Sequence, residues 1–392
     1  MEPMDPTDHT DPIELARALI RCPSVTPADG GALDVLEAAL KKLGFVCRRL
    51  PFEEPGFAPV DNLYARFGVN GPHFCFAGHT DVVPVGNPDN WSVDPFAAEI
   101  RGDRLYGRGA ADMKTAIAAF VVAVERFLKA RGDRLDGSIS FLITGDEEAD
   151  AVNGTVKMLG WLKEHREIPD VCLVGEPTNP KTLGETIKIG RRGSLTAALA
   201  VFGVQGHSAY AHLADNPIPR LMRMLGGLID KPLDAGGEHF PPSDVIVTTI
   251  DVGNKASNLI PSRAEARINI RFNDAHTGAS LERLMRQKFD AVGGRYELSV
   301  KVSGEAFLTP VGPLARLVAA AVEGVTGQAP KFGTDGGTSD ARFIKDHCPV
   351  VEFGMTNATA HKSDENSLIA DVRILADIYE AVLDGYFPNS RR

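Results

Sequence analysis

Short apolar runs alternate with segments of helical periodicity over most of the chain. Between residues 113 and 128 the apolar positions recur every three or four residues, which is typical of one helix face. Further helices are predicted at residues 11–20, 31–43, 155–165, 311–325 and 367–386. Buried strands are predicted at residues 61–67, 73–77, 138–144, 170–175 and 349–353. This alternation predicts an α/β fold, with a mostly parallel mixed sheet and helices on both faces.

The pattern changes between residues 192 and 305. Apolar and polar residues alternate along residues 264–272, so one face of this strand should be exposed to solvent (a wet face). Further strands are predicted at 195–202, 245–252 and 295–303, with helices near 216–229 and 279–290. We interpret residues 192–305 as a smaller α+β dimerisation or lid domain. It is inserted into a discontinuous catalytic domain of residues 1–191 and 306–392, and a chain of this length is typically divided in such a way.

Composition narrows the classes of partner. The chain has 42 basic and 52 acidic residues, a formal charge of −10, which argues against non-specific binding to nucleic acid or anionic membranes. Five scattered cysteines form no CxxC pair and indicate reduced, buried thiols in the cytoplasm. The acidic N-terminus lacks an apolar signal region, so we predict a disordered tail in which Met4 is an alternative start. The longest apolar run, residues 116–124, is too short to cross a membrane.

Acids and histidines follow the predicted strands. Because ligands bind at the carboxyl ends of strands in open α/β sheets, these residues are candidates for one site. They are His79 and Asp81 after the second strand, Glu147 and Glu148 after the third, Glu176 after the fourth, His361 beyond the fifth, and Asp112 where the long helix begins.

Each candidate also has a simpler interpretation. Asp112 could cap its helix, Asp81 could be a turn residue, and His361 could lie on the surface. The pair of glutamates could be a solvated loop. Their shared position at one sheet edge favours a metal site, since four acids in one cleft would repel one another without cations. Two divalent ions would balance that charge, and a ligand set without cysteine suits Zn²⁺ while also admitting Co²⁺ or Mn²⁺.

Nine segments carry a family resemblance that covers nearly the whole chain. They are FAGHTDVVPVG, LYGRGAADMKTAIAA, TGDEEADAVNGT, LVGEPT, GRRGSL, GHSAYAHLADNP, NLIPSRAEARINIRF, GGTSDARF and ATAHKSDE. In this order they closely resemble the co-catalytic zinc amidohydrolase and peptidase family, which contains desuccinylases, acetylornithine deacetylases, aminoacylases and glutamate carboxypeptidases. The fifth, sixth and eighth segments resemble the desuccinylases that release succinate from N-succinyl-L,L-diaminopimelate.

The resemblance implies a role for each candidate. His79 and Glu176 would complete one zinc site and Glu148 and His361 the other, with Asp112 bridging both. Glu147 would be the general base, and Asp81 would hydrogen-bond His79 and set its tautomer. The resemblance also implies a cis peptide bond between Asp112 and Met113.

The resemblance extends to the inserted domain. His207 could be a polar loop residue, but the resemblance implies that it acts in the partner subunit of a homodimer and stabilises an oxyanion. Arginines would bind the carboxylates of an anionic N-acyl amino-acid substrate. The implied substrate contacts are Arg191, Arg192, Ser194, Tyr210, Asn258, Arg271, Gly337 and Thr338.

Several of these contacts have simpler alternatives as well. Arg271 could be an ordinary wet-face residue of its strand, Asn258 a turn residue, and residues 336–340 a plain glycine loop. Another deacylase or a dipeptidase of the family remains the alternative activity, and a non-catalytic binding module on the same fold is the alternative from another class.

This sequence departs from the family pattern at two places. Ala149 and Asp150 follow Glu148 where relatives commonly have Gly-Pro, and Asp335 adds an acid beside the glycine loop. Neither departure touches a proposed ligand.

Overall fold

The computed structural model describes residues 11–131 and 135–388. The helices there are α1 Pro12–Ile20, α2 Ala32–Lys42, α3 Lys114–Ala130, α4 Thr155–His165, α5 Pro217–Ile229, α6 Gly278–Val292, α7 Pro313–Thr326, α8 Ala341–Ile344 and α9 Ile369–Tyr386. The strands are β1 Val46–Arg49, β2 Leu63–Phe67, β3 His73–His79, β4 Glu99–Arg101, β5 Arg104–Tyr106, β6 Ser138–Thr144, β7 Val171–Val174, β8 Thr186–Lys188, β9 Gly190–Arg191, β10 Gly193–Phe202, β11 Gly206–His207, β12 Asp244–Asp251, β13 Leu259–Ile260, β14 Arg263–Phe272, β15 Tyr296–Gly304, β16 Phe307–Leu308, β17 Lys331–Gly333, β18 Val350–Glu352 and β19 Asn366–Leu368.

The chain forms two compact units. Unit 1 consists of the residues up to 189, residues 309–332 and the residues from 339 onward, and unit 2 consists of residues 190–308 and 333–338. The sequence placed the boundaries of an inserted domain at 192 and 305. The short segment 333–338, which joins unit 2 from a distant part of the chain, was not foreseen. The predicted N-terminal tail lies mostly outside the described residues.

Unit 1 is organised around an eight-stranded sheet with the order β1-β2-β6-β3-β7-β18-β8-β17. Its four central strands, β6, β3, β7 and β18, run parallel to one another. Strands β1 and β2 on one side and β8 on the other pair antiparallel with their neighbours. The predicted α/β class with a mixed, largely parallel sheet is therefore confirmed.

Helix α3 is the centre of the core of unit 1. It is apolar on nearly all sides because it packs against the sheet and also against α1 and α9. The Phe120 ring stacks on Phe76 of β3 with a centroid distance of 4.3 Å. Burying each such aromatic side chain contributes about 1.5–3 kcal/mol, which holds α3 against the sheet.

Unit 2 contains an antiparallel sheet with the order β12-β14-β10-β15. In β14 the residues Ile268, Ile270 and Phe272 are buried, while Glu265 and Arg267 are exposed. The predicted wet face of this strand is confirmed, and α5 and α6 pack on the opposite, apolar face. Within the described residues, no helix is long and apolar enough to span a membrane.

Most of the strands that the sequence did not predict are two to four residues long. Examples are β4, β5, β9, β11, β13 and β16, which pair in small two- or three-stranded sheets. Such strands are too short to show a periodicity of two, so their existence depends on the partner that the fold supplies.

Candidate metal centre

The carboxyl ends of β3, β6, β7 and β18 meet at one edge of the sheet of unit 1. His79 is the last residue of β3 and lies opposite Thr144, the last residue of β6. Ala77 lies opposite Val174, which ends β7 two residues before Glu176. The shared sheet edge that the sequence predicted is therefore present in the structure.

Two glycines allow the ligand-bearing segments to approach each other. A Cβ atom on Gly78 would collide with the Met113 side chain, and one on Gly175 would lie 2.6 Å from the Cε of the same methionine. Met113 follows Asp112 directly, and the peptide bond between them is cis, as the resemblance implied. The dipeptide Gly78-His79 at the end of β3 and the dipeptide Gly175-Glu176 just after β7 thus place His79 and Glu176 beside Asp112.

Asp112 lies between two histidines. Its Oδ1 is 3.2 Å from Nε2 of His79, and its Oδ2 is 3.4 Å from Nε2 of His361. Nε2 of His361 is also 2.8 Å from Oε1 of Glu148, and Nε2 of His79 is 3.6 Å from Oε1 of Glu176. The helix-cap interpretation of Asp112 is wrong, because α3 begins at Lys114 and has no side-chain cap.

Asp81 orients the site differently from the prediction. Nδ1 of His79 lies 2.9 Å from the backbone carbonyl oxygen of Asp81, whereas the nearer carboxylate oxygen is 3.6 Å away. The carboxylate instead accepts the backbone N–H groups of Glu147, at 3.2 Å, and Glu148, at 3.0 Å. Asp81 therefore orients the His79 ring with its main chain and holds the loop of the two glutamates with its side chain.

A second aspartate holds the same loop from the other side. Asp146 accepts the backbone N–H groups of Ala151, at 3.3 Å, and Asn153, at 2.7 Å. Ala151 has a positive φ of 54°. The Ala149-Asp150 departure from the family pattern lies within this turn, which closes without the expected Gly-Pro.

The close carboxylates and histidines shift one another's pKa. Burial disfavours protonation of His79, but the hydrogen bond and charge of Asp112 outweigh it and raise the pKa of His79 well above its usual value. Hydrogen bonds to Asp112 and Glu148 raise the pKa of His361 to about 10. Burial, followed by the charge of Glu176, raises the pKa of Glu147 well above its usual range. The histidine protons offset part of the carboxylate charge, and a divalent cation would take over that role and release them.

The donor atoms fit a divalent metal. Two overlapping groups have ligand atoms within 4.8 Å of one another, namely His79 with Asp112 and Glu148, and His79 with Glu147 and Glu176. All donors are nitrogen or oxygen, which suits Zn²⁺ and related ions. By distance alone Glu147 qualifies as a ligand, so its assignment as a base rests on the resemblance. His361 is half exposed and lies at the margin of the cluster.

Two residues near Glu147 were not assigned from the sequence. Nη1 of Arg342 is 4.0 Å from Oε1 of Glu147, and Nη2 of Arg342 is 3.7 Å from Oδ1 of the buried Asp340. Both belong to the segment GGTSDARF, in which only the glycine and threonine received a role. The charge of Asp340 adds to the rise in the pKa of Glu147.

The proposed substrate residues form two groups within unit 2. In the first group, Nη1 of Arg191 donates to the carbonyl of Gly337 at 3.1 Å, and Ser194 pairs with Arg271 across β10 and β14. Burial, followed by the charge of Arg192, lowers the pKa of Arg271, so these two guanidinium groups are close. Thr338 is the residue next to Gly337. This group has the positive charge that an anion would need.

The second group lies around β11 and β13. His207 pairs with Leu259, and the carbonyl of Asn258 accepts the N–H of Ser208 at 2.9 Å. The rings of His207 and Tyr210 have a centroid distance of 5.6 Å. His207, Tyr210 and Asn258 are therefore neighbours, and all three are exposed.

The comparisons with known proteins agree with this geometry. A model of peptidase family M20/M25/M40 matches residues 75–385. A protein of Rhodospirillum centenum named succinyl-diaminopimelate desuccinylase is 62% identical over 96% of this chain and 97% of its own length. One of the same name from Parvibaculum lavamentivorans is 58% identical, with 97% of each chain covered.

Solved structures show the same fold at low identity. An M20 family metallo-carboxypeptidase of Sulfolobus solfataricus has a TM-score of 0.77 at 19% identity, covering 96% of this chain and 99% of its own. A dinuclear metal-binding peptidase of the M20 family from Bacillus subtilis has a TM-score of 0.69 at 16% identity, covering 97% and 99%. From the family match and the near full-length relatives, the chain belongs to peptidase family M20/M25/M40.

Proposed function

We propose that the chain hydrolyses N-succinyl-L,L-2,6-diaminopimelate to succinate and L,L-diaminopimelate, a step of lysine and diaminopimelate biosynthesis. The observation that carries the proposal is the 62% identity, over nearly the whole of both chains, to a protein named for this activity. The acid and histidine cluster at the sheet edge supports it, because amide hydrolysis at neutral pH needs an activated water and a polarised carbonyl.

The cluster would hold two divalent metal ions, Zn²⁺ by preference and Co²⁺ as an alternative. His79 and Glu176 would bind one ion, Glu148 and His361 the other, and Asp112 would bind both. The position of Asp112 between Nε2 of His79 and Nε2 of His361 supports this division. Bound ions would lower the pKa of a water molecule and polarise the scissile carbonyl.

Glu147 would move the protons of the reaction. It would accept a proton from the attacking water and deliver it to the leaving amine, so that the products separate as a carboxylate and an amine. Asp81 holds the Glu147 backbone and would keep the base aimed at the water.

His207 would stabilise the oxyanion of the tetrahedral intermediate from the partner subunit of a homodimer. Its Nδ1 accepts the N–H of Ala209 at 3.0 Å, so the proton of the neutral ring is on Nε2. Nε2–H is then a hydrogen-bond donor, as an oxyanion requires. Its exposure in unit 2 suits a residue that serves a second copy of the chain.

The first group of unit 2 would bind the substrate carboxylates. Arg192 and Arg271 repel each other, and an anion between them would relieve that repulsion. Nη1 of Arg192 is paired with Asp244 at 2.7 Å, while among the described residues its buried Nε has no hydrogen-bond partner. Polar contacts would come from Ser194, Gly337 and Thr338, and from Tyr210 and Asn258 of the second group.

We place the enzyme in the cytoplasm. All five cysteines are free in the structure, and three of them are buried, which suits a reducing compartment. The acidic net charge gives no general surface for nucleic acid or anionic lipid.

A substrate panel tests the proposal. Purified protein with added Zn²⁺ would be assayed on N-succinyl-L,L-diaminopimelate, N-acetylornithine and a dipeptide. We expect the highest kcat/KM for the succinylated substrate. Faster hydrolysis of either of the other two would assign the chain to a different deacylase or to a dipeptidase. No hydrolysis, together with no bound metal, would revive the non-catalytic binding module.

A further inference from the structure

Glu365 is a buried carboxylate that the proposed chemistry does not use. It follows His361 by four residues, and its side chain is 1% exposed. Oε1 accepts the backbone N–H groups of Ala111, at 2.8 Å, and Asp112, at 3.0 Å, and Oε2 accepts the N–H of Gly109 at 3.0 Å. One carboxylate thus closes the turn that ends in the bridging aspartate.

Arg108 completes the set of donors around this carboxylate. Its Nη1 lies 2.6 Å from Oε2 of Glu365, and its side chain is 3% exposed. The guanidinium also donates to the carbonyls of Lys362, at 3.3 Å, and Pro84, at 3.4 Å, and lies over the ring of Trp91. The pair therefore connects three loops at the sheet edge.

Further hydrogen bonds tie the same two segments together. The backbone N–H of Gly107 donates to the carbonyl of Glu365 at 2.9 Å. The hydroxyl of Ser367 donates to the carbonyl of Ala110 at 2.8 Å. Residues 107–112 and 361–367 are thereby held as one body, although the bonded residues Ala110 and Ser367 are 257 positions apart in the chain.

We propose that Glu365 is a positioning residue for the metal-ligand cluster, which fixes the spacing between Asp112 and His361 without binding a metal itself. Each of its two carboxylate oxygens already accepts two hydrogen bonds, so neither has a lone pair left for a metal ion. His361 is half exposed and receives little support from packing, so its place beside Asp112 depends on such a tether. Residues that orient ligands in this way typically change metal affinity by about 10–100-fold when replaced.

A buried ion pair with a purely structural role would behave differently. Its loss would lower the free energy of unfolding, but a folded variant would bind metal as the wild type does. Metal affinity in the folded state therefore separates the two roles.

The test is a titration of metal-free protein with Zn²⁺ in competition with a chelator, on the wild type and on Glu365→Gln. Glutamine has the same size but offers one acceptor oxygen, so its amide group would face two of the four donors. We expect folded Glu365→Gln to bind at least one of two ions about 10–100-fold more weakly. Two ions bound with wild-type affinities would overturn the inference.

A matched control is available in unit 2. Asp234 accepts the N–H groups of Gly236, at 2.8 Å, and Ser243, at 3.2 Å, and lies 3.1 Å from Nε2 of His276. Asp234→Asn removes a comparable loop-holding carboxylate and should lower the melting temperature while leaving both zinc affinities unchanged. A loss of zinc affinity in this control as large as in Glu365→Gln would mean that general destabilisation causes the effect, and would overturn the inference.

A second variant keeps the test decisive if Glu365→Gln does not fold. Glu365→Asp retains the charge but is one methylene shorter, so it cannot reach both pairs of donors, and it should also weaken zinc binding. Wild-type zinc affinities in folded Glu365→Asp would overturn the inference. The inference rests on the proposed metal pair, which the wild-type titration tests separately: no zinc bound by the wild type would refute the proposed function itself.

Discussion

The two units of the molecule differ in how many ionisable side chains they bury. Unit 1 buries many of them: His73, His79, Asp81, Arg108, Lys114, Glu125, Asp146, Glu176, Lys188, Asp340, Glu352 and Glu365. In the described part of unit 2, Arg191 is the ionisable residue that is comparably buried. Among the residues of unit 2 that we propose for the reaction, His207, Tyr210 and Asn258 are exposed, whereas Arg191 and Ser194 are buried.

This difference shows that the free-energy cost of burying charge indicates a functional site in unit 1, whereas it gives no such indication in unit 2. A buried charge destabilises the fold unless a partner offsets it. The carboxylate of Glu365 has Arg108 and three backbone N–H groups, and that of Asp81 has two N–H groups. Asp112 and Glu148 have histidine partners instead, and a divalent cation would offset their charge in place of the histidine protons. The exposed residues of unit 2 need no compensating charge, so their proposed roles rest on the resemblance.

Replacing the base should have the largest effect. Glu147→Ala should lower kcat by about 10²–10⁴-fold, because no other residue moves the proton from water to the leaving amine. Both metal ions should still bind, as measured by metal analysis of the dialysed variant. Glu147→Gln is the matched control of equal size, and it should lose kcat to a similar extent.

The same variant decides between the two possible roles of Glu147. Its carboxylate is close enough to His79 and Glu176 to be a ligand. Loss of one metal ion together with kcat would show that Glu147 binds metal, and the base would have to be sought elsewhere.

Removing the proposed oxyanion donor should have the next largest effect. His207→Ala should lower kcat by about 10²–10³-fold with unchanged metal content. Mixing the His207→Ala and Glu147→Ala chains should restore about a quarter of the wild-type activity, because half of the dimers are mixed and each has one intact site. Activity that stays absent after subunit exchange would place His207 in the site of its own chain.

Lowering the pH should reduce the free energy of unfolding of unit 1 because His73 is buried in its neutral form. Burial, followed by the charge of Arg66, lowers the pKa of His73 to about 4 from the usual 6.5. Above pH 6.5 the residue is neutral in both the folded and unfolded states. As the pH falls from 6.5 to 4, the unfolded chain binds a proton that the folded chain does not, which lowers the free energy of unfolding by about 3 kcal/mol.

Urea titrations between pH 7 and pH 4 measure this effect. His73→Gln can keep a hydrogen bond to Ser140, which lies 2.7 Å from Nε2 of the histidine, but it does not titrate. The variant should therefore lose less stability than the wild type over this pH range. Equal losses would show that His73 is not the cause.

Each bound metal ion should stabilise the protein by a slightly smaller amount. Zinc at a hundred times its Kd should raise the free energy of unfolding by about 2.7 kcal/mol for each site, provided that the unfolded chain does not bind it. Asp112→Asn should abolish most of this gain, whereas Arg271→Lys in unit 2 should retain it. If zinc stabilised Asp112→Asn but not Arg271→Lys, the metal site would lie in unit 2 and not in unit 1.

The sequence could predict the parts of the fold and site that depend on local patterns. The main helices and long strands follow from periodicity, as in α3 and β14. His79, Glu148 and Glu176 follow from their places directly after strands. The division of work within Asp81, whose carbonyl orients His79 while its carboxylate holds the next loop, depends on distances that no local pattern contains.

Other features depend on contacts between distant segments. Glu365 and Arg108 both lie in segments that resemble the family, but nothing in their spacing shows that they meet across 257 positions. The same holds for Arg342 beside Glu147 and for residues 333–338, which join unit 2 from far along the chain. The contacts of Glu365, Arg108 and Arg342 become visible only in the folded structure, in which the sheet brings their segments together.

We expect the cluster of unit 1 to hydrolyse N-succinyl-L,L-diaminopimelate only when divalent metal is bound. The most direct test is succinate release by one protein sample before chelation, after chelation, and after addition of Zn²⁺, with metal content measured at each stage. Chelation should abolish succinate release, and activity should return as two ions bind per chain. Undiminished succinate release by metal-free protein would contradict this expectation.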